Sequence, residues 1–260
     1  MELELRGKTA LVAGGASNIG RQITLALAAE GVRVALVDLD GAQADKVAAL
    51  ANAAGGTVSA LRCDCTDRDA VASVATQAVA QLGHIDILVN CIGWAEHLPF
   101  LQKDWSGTDK EMAINFWTAI NMTRAVLPYM VERNAGRVIC VNSDAGKNGE
   151  NREVNYSAAK AGIQGFVRAL CKEVGRHNIT VNGVCPSMTV PESDEDVGTN
   201  SMHYKRERPP ELMERIVKLY PLRRVGRPSD VANLVVFLAS AAGAFITGQN
   251  ISVNGGFLTQ

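Results

Sequence analysis

Short apolar, β-branched runs alternate with longer stretches of helical periodicity along the chain. The runs Thr9–Ala13, Val32–Val37, Val58–Cys63, Asp86–Asn90, Arg137–Asn142, Ile179–Cys185 and Asn250–Val253 are nearly continuous in hydrophobicity, as expected of parallel strands covered on both faces. Between them, apolar residues recur at helical spacing over about 19–30, 42–53, 67–82, 108–132, 155–175 and 229–240. A regular β-α-β order with right-handed crossovers predicts an α/β fold with a doubly wound, seven-stranded parallel sheet and helices on both faces. Nothing in the pattern divides the chain, so residues 1–260 read as one domain. The exception to the rhythm is Ser187–Leu222, with four prolines, the acidic block Glu192–Asp196, the basic block Lys205–Arg208 and one amphipathic helix near 211–219. Long irregular segments in compact domains are usually functional. Following a strand on the substrate half of the sheet, this one is expected to be a lid, with a plain mobile loop as the alternative.

Bulk properties narrow the function. The 260 residues are 47% apolar and 20% charged, with a formal net charge of -1. A near-neutral chain lacks the basic face a nucleic-acid binder needs. No apolar run reaches the eighteen or so residues of a membrane span. Met1–Arg6 lacks the basic-then-apolar layout of a signal peptide,. A cytoplasmic protein is expected. The six cysteines make no zinc-like pairing and the four histidines no ligand spacing, so reduced, structural cysteines and no metal are expected.

The first strand runs into Ala13-Gly14-Gly15-Ala16-Ser17-Asn18-Ile19-Gly20 and then directly into a helix. Such a turn brings backbone up to a dinucleotide pyrophosphate at the helix's positive end. Asn18 stands where the middle glycine of the motif is usual. That position needs a positive φ, which asparagine tolerates best after glycine. The second strand ends in Val37-Asp38, eighteen residues after Gly20. A carboxylate there accepts from the adenosine ribose hydroxyls and repels a 2′-phosphate; Ser17 and Leu39 offer no arginine to NADP. The alternative for Asp38 is a cap on the following helix. Cys63, Asp64, Asn90 and Gly93 also stand at strand ends, where parallel sheets bind ligands. Together these residues point to a Rossmann-type site for NAD.

Tyr156 and Lys160 lie four apart in a strongly helical stretch and share one face,. A phenol is a poor base at neutral pH, and a nearby cation lowers its pKa toward the working range. Ser143, thirteen residues earlier at the end of the fifth strand, is placed to hold a substrate oxygen on which charge develops.

These residues together resemble the short-chain dehydrogenase/reductase family, over essentially the whole chain. The resemblance implies NAD as cofactor and Asn115, Ser143, Tyr156 and Lys160 as the catalytic set. Tyr156 takes the alcohol proton, Lys160 lowers its pKa and holds the nicotinamide ribose, and Asn115 anchors a proton-relaying water. It further implies cofactor contacts from Gly14, Ser17, Asn18, Ile19, Gly20, Asp38, Leu39, Cys63, Asp64, Asn90, Gly93, Tyr156, Lys160, Pro186 and Met188. The sequence departs from the family pattern at Asn18, Cys91, Ile92 and Ser187, and two of these touch cofactor loops. The phrases Gly93-Trp94, Pro99-Phe100 and Ser143-Asp144-Ala145-Gly146 are similar to a subgroup that oxidises 3-hydroxyacyl-CoA thioesters with cyclic or aromatic substituents. That subgroup includes the 2-hydroxycyclohexanecarboxyl-CoA and 2-[hydroxy(phenyl)methyl]succinyl-CoA dehydrogenases of alicyclic and aromatic acid breakdown. Trp94, Ser143, Asp144, Met188 and Val190 are the expected substrate contacts, and Lys147, Arg152, Lys205, Arg206 and Arg208 the cations available to CoA phosphates. The alternatives are a 3-oxoacyl-carrier-protein reductase, a free cyclic-alcohol dehydrogenase, and a non-catalytic partner subunit. The resemblance also implies a homotetramer, or a hetero-oligomer with a paralogous subunit, built through the helices at 108–132 and 155–175.

Overall fold

A computed structural model describes residues 2–259; Met1 and Gln260, the ends of the expected 1–260 domain, lie outside the described residues. In chain order the elements are β1 (Thr9–Ala13), α1 (Asn18–Ala29), β2 (Arg33–Asp38), α2 (Gly41–Ala53), β3 (Thr57–Arg62), α3 (Arg68–Leu82) and β4 (Ile87–Asn90). The second half runs α4 (Trp105–Met112), a π turn (Ala113–Trp117), α5 (Thr118–Arg133), β5 (Gly136–Val141), α6 (Ala145–Asn148), α7 (Val154–Val174), β6 (Ile179–Pro186), α8 (Pro210–Lys218), α9 (Pro228–Ala239) and β7 (Asn250–Val253). The strands form one seven-stranded sheet in the order β3-β2-β1-β4-β5-β6-β7, parallel throughout. Every expected strand is present, with ends displaced by one residue at most. At β2, for example, the ladder pairs Arg33 with Thr9 and Asp38 with Arg62, so Val32 stands outside it.

The continuous hydrophobicity of the strands reflects burial on both faces. One face packs Ile23 and Leu27 of α1, Val47 of α2 and Val231 and Val235 of α9 against the sheet. The other packs Val74 of α3, Met122 and Val126 of α5 and Ile163 and Val167 of α7. Chain order reverses between β1 and β4, which pair Ala13 with Asn90. Their C-terminal ends therefore open the crevice where doubly wound sheets bind ligands.

The helix expected over 108–132 begins earlier, at Trp105, and carries the π turn. Asn115 explains the turn: its side-chain amide donates to the carbonyls of Glu111 (2.8 Å) and Trp94 (2.6 Å), and the helical ladder widens around the occupied carbonyl. No described helix is long and apolar enough to cross a membrane.

Candidate active site

One cavity of about 650 Å³ runs along the C-terminal edge of the sheet. Gly14, Ser17, Asn18, Ile19 and Gly20 line one end, followed by Asp38, Leu39, Cys63 and Asp64. The turn is tight for a reason that can be measured. A Cβ on Gly20 would stand 1.8 Å from the Gly14 carbonyl oxygen, and Gly14 itself has φ +74°. Asn18 takes φ 47°, the left-handed backbone expected of it, and its Oδ1 is buried without a partner.

These residues fit a dinucleotide. The first turn of α1 carries no acidic side chain, and Ser17 at its N-cap makes no cap bond; the Ser17 hydroxyl instead accepts from Gly198 N at 2.8 Å. Uncapped N–H groups facing a cavity favour a phosphate. Asp38 is no cap for α2, a role taken by Asp40, which accepts from Gln43 N at 3.1 Å. The Asp38 carboxylate accepts from Ala16 N and Asp40 N, each at 3.0 Å. Two of about four lone-pair positions are thereby filled, leaving acceptor capacity toward the cavity. Burial raises the Asp38 pKa, against the lowering by those two backbone bonds. Arg62, at the same end, turns to the Leu39 carbonyl (3.4 Å) and does not line the cavity. Asp64 accepts from Thr66 N and Oγ1 at 2.9 and 2.7 Å, an Asx-type turn that holds its loop.

At the centre, Gly93, Ser143, Tyr156, Lys160, Pro186 and Met188 meet in the cavity. Lys160 and Tyr156 project from the first turns of α7, with Nζ 5.6 Å from the phenol ring centre. The ammonium donates to the carbonyls of Val141 (3.2 Å) and Ile92 (3.4 Å), at the end of β5 and just beyond the end of the adjacent β4. The neighbouring Ser143 hydroxyl lowers the Tyr156 pKa, but burial is the larger influence and carries it well above 10. Burial likewise lowers Lys160. In this apolar setting desolvation outweighs the cation that the spacing suggested would dominate. Beneath Lys160 a second chamber of about 10 Å³ is lined by Asn90, Asn115 and Thr118, roughly the volume of one water.

Several expected contacts fall elsewhere. Asn90 is buried, donating to Thr123 Oγ1 at 3.0 Å, and faces the small chamber instead of the cofactor groove. Asn115 is engaged by the backbone of Trp94 on both sides of its amide. The Asp144 carboxylate is taken by Ser252 Oγ and Asn254 Nδ2, each at 2.5 Å. Asp144 still lines the cavity, where these bonds make it brace the loop after β5. Val190 lies outside the cavity because its amide pairs with Gly226 O at 3.1 Å. Of the five cations, only Arg206 and Arg208 line the cavity. Lys147 is bound to Ser252 (2.8 Å), Arg152 to the His97 carbonyl (3.1 Å), and Lys205 lies over the Tyr204 ring.

Other lining residues carried no sequence signal: Tyr220 stacked on Phe257 at 5.1 Å, and Leu258 near the C-terminus. Ile216 was in principle legible, since the amphipathic α8 has to turn its apolar face somewhere. Trp94 is where it was expected, with Lys110 Nζ 4.2 Å from its ring centre.

Comparison with known proteins agrees with this geometry. A family model described as "Enoyl-(Acyl carrier protein) reductase" matches residues 14–258. Nodulation protein G of Rhizobium meliloti (strain 1021) is 36% identical over 97% of this chain and 98% of its own length. The 3-oxoacyl-[acyl-carrier-protein] reductase of Thermotoga maritima is 32% identical over 98% of this chain and 100% of its own. The solved structure of 7 alpha-hydroxysteroid dehydrogenase complexed with NADH and 7-oxo glycochenodeoxycholic acid matches with a TM-score of 0.89. It is 29% identical and the match covers 99% of this chain and 97% of that one. The chain belongs to the short-chain dehydrogenase/reductase family of oxidoreductases.

Proposed function

We propose that the protein is an NAD-dependent dehydrogenase acting on a secondary alcohol or ketone, its natural substrate a 3-hydroxyacyl-CoA thioester with a cyclic or aromatic substituent. The observation that carries the reading is the convergence of Ser143, Tyr156 and Lys160 in the cavity that also holds the uncapped start of α1. The nicotinamide, when bound, supplies the hydride acceptor. Tyr156 takes the hydroxyl proton through its phenolate oxygen. Ser143 donates to the substrate oxygen as charge develops on it. Lys160, fixed by two carbonyls, compensates the phenolate and holds the nicotinamide ribose. Asn115 and Asn90 wall the small chamber under Lys160, which accommodates one proton-relaying water,.

Asp38 without an arginine in the cavity beside it supports NAD over NADP. The ring of the substrate would lie against Trp94 and Met188, with 187–222 as the lid of a single domain. Subunits would associate through α4–α5 and α7 into a tetramer. A 3-oxoacyl-carrier-protein reductase is the second reading, favoured by the relative of that name. A spectrophotometric screen separates them, comparing NAD and NADP with aliphatic, alicyclic and aryl 3-hydroxyacyl-CoA esters, their free acids and simple cyclic alcohols. NADH formation from the alicyclic or aryl esters is expected. NADPH linkage with straight-chain esters would favour the reductase, and no cofactor binding at all would leave a non-catalytic subunit.

A further inference from the structure

The far wall of the cavity is made by the lid turn at 200–208, where two guanidinium groups reach the lining. Arg206 Nη1 stands 3.1 Å from His97 Nε2, and Arg208 Nη2 stands 3.1 Å from His203 Nδ1. Guanidinium groups only donate, so the imidazole nitrogen facing each of them is the acceptor. His97 passes its other N–H to Glu153 Oε1 at 2.8 Å. His203 is held neutral by burial and by the two arginines, which push its pKa down to about 4. Among the described residues neither arginine has a carboxylate within 4 Å.

Arg208 Nε is moreover buried without a partner. Burial and Arg206 both press against the Arg208 charge, and Asp194 offsets them only at a distance. Of the carboxylates lining the adjoining wall, Glu153 is engaged by His97, Asp144 by Ser252 and Asn254, and Glu150 accepts from Asn151 N at 3.2 Å. Each guanidinium rests on an imidazole, and Arg208 Nη1 also donates to the Arg206 carbonyl at 3.3 Å, but two neighbouring cations repel one another and none of these partners carries a compensating negative charge. An anion between them would relieve both and satisfy the buried donor.

We propose that Arg206 and Arg208 form an anion-binding subsite for the substrate, recognising a carboxylate or phosphate group carried away from the carbinol carbon. The proposal rests on the reading of the cavity as a secondary-alcohol site and sharpens it: the natural substrate is an anion. His97 and His203 are positioning residues that aim the two forks without neutralising them.

The test compares the parent with the Arg206→Ala/Arg208→Ala variant on a 3-hydroxyacyl-CoA ester, the corresponding free hydroxy acid and its uncharged methyl ester. Loss of two charge-assisted bonds should raise KM about tenfold or more for an anionic substrate, with kcat and the methyl-ester kinetics unchanged. A rise confined to the CoA ester assigns the subsite to phosphate, and a rise with the free acid assigns it to carboxylate. Equal KM values for all three compounds would overturn the subsite. Should the parent form no NADH from any of them, the alcohol-site reading fails instead, and calorimetry with CoA and the hydroxy acid decides the subsite alone. Binding to the parent at least about tenfold tighter than to the variant supports it. Equal binding, or none to either, overturns it. Retained NADH binding by the variant, and partial recovery in Arg206→Lys/Arg208→Lys, distinguish lost recognition from lost folding.

Discussion

At the scale of single residues, the chemistry depends on two groups whose surroundings pull against their use. Burial holds the Tyr156 phenol protonated and weakens the Lys160 ammonium. A phenol with a raised pKa gains its ionised form only as pH climbs, so alcohol oxidation should accelerate with rising pH. Lys160→Ala removes the compensating cation. It should move that climb to higher pH and lower kcat/KM by about 10²–10⁴; an unchanged pH profile would deny Lys160 the role. At the other end of the cavity, Asp38→Ala deletes the carboxylate proposed to accept from the ribose hydroxyls. Charge-assisted bonds of this kind are worth about 1.5–3 kcal/mol, so the KM for NAD should rise by roughly 10–100-fold while NADP is penalised less. A variant that still strongly prefers NAD would show that other groups set the preference. These residues were legible in the sequence because their spacing is local: four along a helix, or a fixed distance from a glycine turn. The sign of the Tyr156 shift was not, because desolvation depends on what packs around the ring from distant parts of the chain.

At the scale of elements, the segment 187–222, expected to be a lid, is fastened to the β1–β2 half of the sheet. Arg21 pairs with Asp196 at 3.0 Å, Gln43 Nε2 donates to the Glu195 carbonyl at 3.0 Å, and Thr199 N and Oγ1 both donate to Asp40 Oδ2 at 3.0 Å. A segment expected to cover substrate thus also straps α1 and α2 across the adenosine end. Ion pairs and hydrogen bonds that water still reaches contribute only about 0.2–1 kcal/mol each. Arg21→Ala with Thr199→Ala should therefore raise the KM for NAD only severalfold, and should speed limited proteolysis within 187–222. Unaltered proteolysis would show that the strap does not hold the lid. Composition marked this segment as unusual, but no periodicity connects residue 199 with residue 40, so its docking was invisible in one dimension. The π turn was hidden for a similar reason. A helix-like apolar pattern over 105–133 says nothing of a side-chain amide on Asn115 that captures the Glu111 carbonyl. The doubly wound parallel sheet, by contrast, follows from β-α alternation and crossover handedness, and it was readable.

For the whole molecule, a parallel sheet puts every strand's C-terminus on one edge. Residues from Gly14 to Leu258 consequently share a single cavity. The opposite demand is made by the outer surface. Trp105 is 82% and Phe245 104% exposed, and Leu101 and Trp117 stand clear as well. Large apolar groups left this open suggest association, and light scattering should give a mass of four chains. A monomer at micromolar concentration would contradict that expectation. The central claim is that this cavity moves hydride with Tyr156 as the proton acceptor, and it is tested most directly by following NADH formation in parent and Tyr156→Phe on the best substrate from the screen. The account predicts that the variant binds NADH as the parent does but loses nearly all turnover, by about 10²-fold or more. A Tyr156→Phe protein that oxidises its substrate at the parental rate would contradict it.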